Sequence, residues 1–180
     1  MENKKPLVIN LFGGPCTGKS ATGARIFAAL KEKHINVELV TEYAKDLTWE
    51  GRFDVLSEQQ LVVFANQYAR LRKVAKHVDV IITDSPLLMC IAYTPVGYYS
   101  SFIPLVTEAY NSFNNVQIEL ERVTEYQPHG RSQDEQQAKQ LDTIISDILN
   151  TYGRGEYTTL ACDDFGPIID LINFQIDQLN

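Results

Sequence analysis

Gly13-Gly14-Pro15-Cys16-Thr17-Gly18-Lys19-Ser20 decides how this chain is read. The octet fits G-x-x-x-x-G-K-[ST], a loop whose glycines let successive backbone N–H groups turn toward one anion. Its flanks agree with that reading. Pro6-Leu7-Val8-Ile9-Asn10-Leu11-Phe12 is an almost unbroken apolar run of strand length, and Ser20 to Leu30 carries apolar residues at helical spacing. Strand, glycine turn and helix N-terminus in that order make an anion site, because the first helical turn adds partial positive charge. The pattern predicts that Lys19 reaches the β- and γ-phosphates of a nucleotide and that the Ser20 hydroxyl ligates Mg²⁺. The expected nucleotide-binding residues are the octet itself and Ala21, which follows it.

The bulk properties narrow the setting. A length of 180 residues suits one domain, 1–180, with a substantial core. A net charge of -7 argues against a broad nucleic-acid footprint, since neutralising phosphates needs clustered Lys and Arg. The densest basic cluster is Arg70, Arg72, Lys73 and Lys76. Cys16, Cys90 and Cys162 are unpatterned, which points to a reducing compartment without structural disulfides. No apolar run has the length of a membrane span and no secretory leader is seen, so a cytoplasmic protein without a membrane partner is expected.

The rest of the chain alternates strands with helices. Asn36 to Thr41, Asp79 to Asp84, Asn115 to Leu120 and Tyr157 to Ala161 read as further strands. Ser57-Glu58-Gln59-Gln60 has the form of a capping box opening a helix that runs to about His77, while Asp46 to Phe53 reads as irregular. Leu87 to Tyr99 reads as a short helix plus loop, and a helix beginning around Pro104 ends near Phe113. Two more helices are expected at about 134–152 and 167–179. The fold class is α/β, a parallel five-stranded sheet flanked by helices. A polar excursion carrying Pro128, Gly130 and Arg131 forms a candidate lid, about 123–137.

Phosphoryl transfer needs a phosphate cradle, a metal site, an oriented nucleophile and cations on the moving phosphoryl. Asp84 ends an apolar strand, where a carboxylate can hold the metal directly or through water; as a capping residue before Pro86 it would have no such role. Glu42, at the tip of the second strand, is the candidate to deprotonate an acceptor hydroxyl, although the residues leave Asp84 open for that part too. Arg122 and Arg131 are the candidates to meet transition-state charge, one or the other. Tyr43 and Gln67 are candidate acceptor contacts, through ring stacking and amide hydrogen bonds.

On these residues the chain resembles small P-loop kinases of the nicotinamide-riboside-kinase-like, AAA-like NTPase family common in phages. The resemblance rests on Gly13 to Ser20, on Glu42-Tyr43-Ala44-Lys45-Asp46, on Gln67-Tyr68, on Thr83-Asp84 and on Gly130-Arg131 with the long helix after it. It implies a kinase-type fold, ATP-Mg²⁺ as phosphoryl donor and a lid around Arg131. It does not imply the acceptor; the phosphate cradle, the two strand-tip carboxylates and the Arg-bearing segment lead to the expectation of a small nucleoside or nucleotide. The phage relatives suggest a second reading, a kinase of 5-hydroxymethylpyrimidine in DNA, and a third of a different class is a regulatory nucleotide-binding NTPase module. Asn-Lys-x-Asp, a GTP-base motif, is missing, and the oligomeric state is left open by the sequence.

Overall fold

Leu7–Phe12 forms β1, every residue of which is buried, as its apolar run requires. In a computed structural model, which describes residues 5–123 and 135–178, β1 lies at the centre of a five-stranded sheet. The other strands are β2 (Val37–Val40), β3 (Val80–Thr83), β4 (Asn114–Glu121) and β5 (Thr158–Ala161), all parallel, in the order β2-β3-β1-β4-β5. The helices are α1 (Lys19–Glu32), α2 (Tyr43–Trp49), α3 (Phe53–Glu58), α4 (Gln60–Val74), α5 (Met89–Ala92), α6 (Phe102–Asn111), α7 (Glu135–Tyr152) and α8 (Phe165–Asp177). This is the parallel sheet flanked by helices that the alternation predicts.

Side chains alternate across a strand, so β1 feeds two cores. Val8 and Phe12 join Phe64 and Leu71 of α4, Val106 and Tyr110 of α6, and Ile145 of α7 on one face. Leu7, Ile9 and Leu11 join Ile26 and Leu30 of α1 with Ile168 and Ile172 of α8 on the other. Each such side chain contributes about 1.5–3 kcal/mol through burial. The sheet is therefore held from both sides, and its strand ends are rigid points from which loops can present chemistry.

The register brings those ends together. Asn10 of β1 pairs with Thr83 of β3, and Thr83 pairs with Val40 of β2. The chain leaves β1 through α1 on one face of the sheet and leaves β3 through α5 and α6 on the other, so the loops after β1 and β3 part to opposite faces and open a crevice, the usual ligand position in such sheets. Glu42, Asp84 and the glycine loop emerge side by side there.

Several local expectations are corrected. The stretch 46–53 is mostly helical, in α2 and the start of α3. Ser57 does not cap a helix: it lies inside α3, its hydroxyl donating back to Phe53 O at 2.9 Å, so the capping-box pattern was fulfilled in sequence only. The chain kinks at Gln59 (φ -122°, ψ 51°) and α4 begins one residue later. The helix expected at Pro104 starts at Phe102, because proline is tolerated in a first turn whose N–H groups have no partner in the helix. Arg131, and the expected lid 123–137 except for its ends, lie outside the described residues.

Candidate active site

The glycine loop joins β1 directly to α1. Gly18 stands at the N-cap of α1 with φ 80° and ψ 6°, a left-handed conformation that L side chains enter only with strain. Space closes the same position: a Cβ on Gly18 would lie 2.9 Å from the Cys162 sulfur. Thr17 is buried and donates to Gly14 O at 3.0 Å, tightening the turn. Lys19 curls over the loop, its Nζ donating to Gly13 O at 2.7 Å and Gly14 O at 2.8 Å. The first-turn amides of α1 have no acceptor within the helix and carry its positive dipole end. Backbone, dipole and ammonium therefore converge on one spot, and an anion suits it.

Ser20 and Asp84 meet beside that spot. The Ser20 hydroxyl donates to Asp84 Oδ2 at 2.6 Å. Asp84 is buried, and its Oδ1 has no hydrogen-bond partner among the described residues. A buried oxygen left unpaired costs about 1–3 kcal/mol, more when charged, so this carboxylate is suited to a cation. A hydroxyl and a carboxylate are hard oxygen donors, the type Mg²⁺ takes, with phosphate and water completing its octahedron. Among the described residues no group of three His, Cys, Asp or Glu forms an all-protein metal cage. The residues present thus fit Mg²⁺ accompanied by phosphate.

In front of the loop lies a cavity of about 450 Å³. Pro15, Lys19, Ser20 and Asp84 form its phosphate-loop end; Glu42, Lys45, Gln60 and Ser85 supply further polar wall; Trp49, Phe53, Leu56, Val63, Met89 and Tyr93 supply apolar wall. Glu42 is the N-cap residue of α2, two residues past the end of β2. Gln60 is buried, and its amide nitrogen is used on Leu56 O at 2.6 Å. Trp49 and Phe53 are 70% and 52% exposed, so the cavity mouth is an aromatic rim. Cys90 also lines the cavity, and burial, with a smaller effect from the Glu42 carboxylate, pushes its thiol up to about 12. It is a neutral thiol at physiological pH, hence a poor nucleophile.

Three residues expected in the site stand elsewhere. Gln67 is buried and does not line the cavity; its amide oxygen accepts from Tyr43 N at 2.9 Å and its amide nitrogen donates to Thr41 O at 3.4 Å. Its polar groups are consumed by the backbone on either side of Glu42. Tyr43 likewise faces away from the cavity lining, with the Arg70 guanidinium 5.1 Å over its ring. Arg70 also donates to Thr41 O at 3.3 Å and pairs with Asp46. Arg122 pairs with Asp142 of α7 and donates to Pro15 O, and it too is not part of the cavity wall.

Sequence reasoning missed Asp142, Cys162 and most of the cavity wall. Nothing local marks these positions. Asp142 is one polar residue on a long amphipathic helix, and it meets Gly14 across 128 residues of chain.

A family model described as an AAA domain matches residues 8–164. No curated protein matches the sequence. Among solved structures, NadR protein in complex with NR is similar with a TM-score of 0.66 and 16% identity, over 96% of this chain and 52% of NadR, so the chain spans about half of NadR's length. Deoxyadenosine kinase from M. mycoides with bound dATP is similar with a TM-score of 0.56 and 19% identity, over 94% and 99% of the two chains. A protein named APE1195 gives 0.55 and 15%, over 98% of each. At these identities the likeness is one of fold: helices around a parallel sheet, with a phosphate loop after the central strand.

Proposed function

The chain belongs to the AAA-domain family, and from that premise we propose that it is an ATP-dependent phosphotransferase that moves the γ-phosphoryl of ATP to a hydroxyl of a nucleoside or nucleotide. One observation carries the choice of kinase over hydrolytic switch. The cavity runs on from Lys19, Ser20 and Asp84 into a partly apolar chamber with Glu42 in its wall. A hydrolase needs room there for water only. Two fold relatives, a deoxyadenosine kinase and NadR in complex with NR, support the same reading.

In this reading the glycine loop and the first turn of α1 bind the polyphosphate. Lys19 leaves the Gly13 and Gly14 carbonyls for the β- and γ-phosphates, where its ammonium meets full negative charge in place of neutral carbonyl oxygens. Ser20 and Asp84 would hold Mg²⁺, which when bound supplies charge neutralisation and orients the phosphates. Glu42 accepts the proton of the acceptor hydroxyl. As the acceptor oxygen bonds to the γ-phosphorus, the bond from that phosphorus to the β,γ-bridging oxygen breaks, and ADP leaves. The apolar walls exclude water, so that transfer competes with hydrolysis.

The exposed rim of Trp49 and Phe53 favours a second acceptor, a pyrimidine hydroxymethyl group on DNA, since bases splayed from a strand stack on such rings. Radiolabelled ATP offered with nucleosides, nucleoside monophosphates and hydroxymethylated single-stranded DNA tests both. Label on a small molecule is the expected result, and label on polymer selects the second reading. Inorganic phosphate as the sole product, with ATP bound normally, would remove the phosphotransferase reading.

A further inference from the structure

The outer side of the phosphate loop is gripped by an ion pair. Asp142 of α7 accepts the Gly14 backbone N–H at 2.9 Å through Oδ1. Arg122, one residue past β4, donates to that same carboxylate through Nε at 2.9 Å and Nη2 at 2.8 Å, and through Nη1 to Pro15 O at 2.5 Å. The two side chains are 12% and 31% exposed, the arginine thus being largely withdrawn from solvent. Gly14 is shaped to this contact: a Cβ there would run into Asp142 Oδ1 and stand 2.9 Å from Ala138 O and 3.1 Å from Arg122 Nη2. Any side chain at this position would push α7 and Arg122 away. Ala138, Leu141 and Ile145 are buried, which fixes α7 against the body of the fold.

We infer that Arg122 and Asp142 are positioning residues for the nucleotide donor, acting through the backbone of Gly14 and Pro15. The inference rests on the reading of the loop as the ATP site. Two effects combine. The pair orients the first half of the loop, so that the second half and the start of α1 meet the phosphates without reorganisation. Arg122 also neutralises a carboxylate that otherwise stands beside a polyanion. The electrostatic part has a sign that a purely structural role lacks. Removing the arginine exposes Asp142 to the triphosphate, and removing both charges relieves that repulsion. A guanidinium acting directly on the transferred phosphoryl would behave differently, because loss of Asp142 could not compensate for it.

ATP binding by equilibrium dialysis at fixed Mg²⁺, with thermal unfolding of each variant, tests this without knowledge of the acceptor. Arg122→Ala weakens ATP binding by about tenfold or more, the cost of an uncompensated, partly buried charge. Asp142→Asn, whose amide oxygen still accepts from Gly14, stays within about threefold of the unaltered protein. Arg122→Ala combined with Asp142→Asn binds ATP several-fold more tightly than Arg122→Ala alone. Should Arg122→Ala not fold, Arg122→Gln with and without Asp142→Asn carries the same comparison. A double variant no better than its arginine parent, or an arginine variant that binds ATP normally, overturns the inference while leaving the donor site intact. Failure of the unaltered chain to bind ATP overturns the donor reading and this inference with it.

Discussion

The two ends of the cavity are built by opposite means. At the phosphate-loop end the polar groups on offer are backbone amides, one ammonium, one hydroxyl and one carboxylate, and all but Asp84 come from a single contiguous stretch. At the far end the wall comes from α2, α3, α4 and α5 and the turns between them, and it is made of side chains. The first end is braced by β1, α1 and the Arg122–Asp142 pair, whereas the second opens on an exposed tryptophan and phenylalanine. Phosphate is the same in every nucleotide and can be met by a fixed backbone. In the proposed phosphotransferase the far end is the part that would meet the acceptor, and side chains from several elements can shape it to one.

Glu42→Gln breaks the comparison most severely. In the proposed mechanism it removes the proton acceptor while keeping side-chain size, and should lower transfer by roughly 10²–10⁴-fold with ATP affinity within about twofold. Unaltered transfer in a quenched-flow assay would exclude Glu42 as the base. Lys19→Ala strikes the opposite end: loss of charged contacts to phosphate should weaken ATP binding about ten- to a hundredfold, read by dialysis. Here both readouts fall together, in contrast to Glu42→Gln.

Smaller effects sharpen the boundary between the ends. Gln67→Ala leaves Tyr43 N without its acceptor and loosens the turn that carries Glu42. Unfolding free energy should fall by about 1–3 kcal/mol, and transfer should fall while ATP binding holds. Trp49 is the only tryptophan in the chain and sits at the mouth of the cavity. Its fluorescence should therefore change with acceptor and not with ATP alone, and Trp49→Ala should raise the acceptor KM several-fold, as loss of one stacking ring does. The mildest effect concerns pH. The Cys90 thiol ionises near 12 in the fold against 9.0 ordinarily, so the unfolded chain gives up its proton first. Its contribution to stability is complete below about pH 9 and declines as pH rises toward 12, and Cys90 should resist alkylation at neutral pH until the protein is denatured. Rapid modification of the native protein at Cys90 would contradict the burial described.

The pattern of what was legible follows from the same division. β1, the glycine loop and α1 were readable because their signals are local: an apolar run, a motif with fixed spacing, a helical period. The position of Asp84 was readable because an apolar strand that stops on a carboxylate is a local signal too, and that of Glu42 because it follows an alternating strand. The bonds of Gln67 to the Thr41 and Tyr43 backbone were not legible, because an amide on a helix has the same appearance whether it meets a ligand or main chain. Arg122 stands against Asp142, a partner that no spacing announces. Ser57 fitted a capping pattern, yet the chain kinked two residues later at Gln59 and made it an interior residue of α3.

By itself the sequence determined that this chain presents an anion-binding turn between a buried strand and a helix, since backbone conformation and helix dipole follow from the order of glycines, lysine and serine. It also determined a parallel α/β sheet, because strands and helices alternate. Only the tertiary structure decided which carboxylates stand beside that turn, through the neighbouring of β2, β3 and β1, and which residues wall the cavity. It alone revealed that Gly14 is a glycine on account of Asp142. Contacts between residues far apart in sequence are set by how whole elements pack, and packing is a property of surfaces that the linear order of residues does not display.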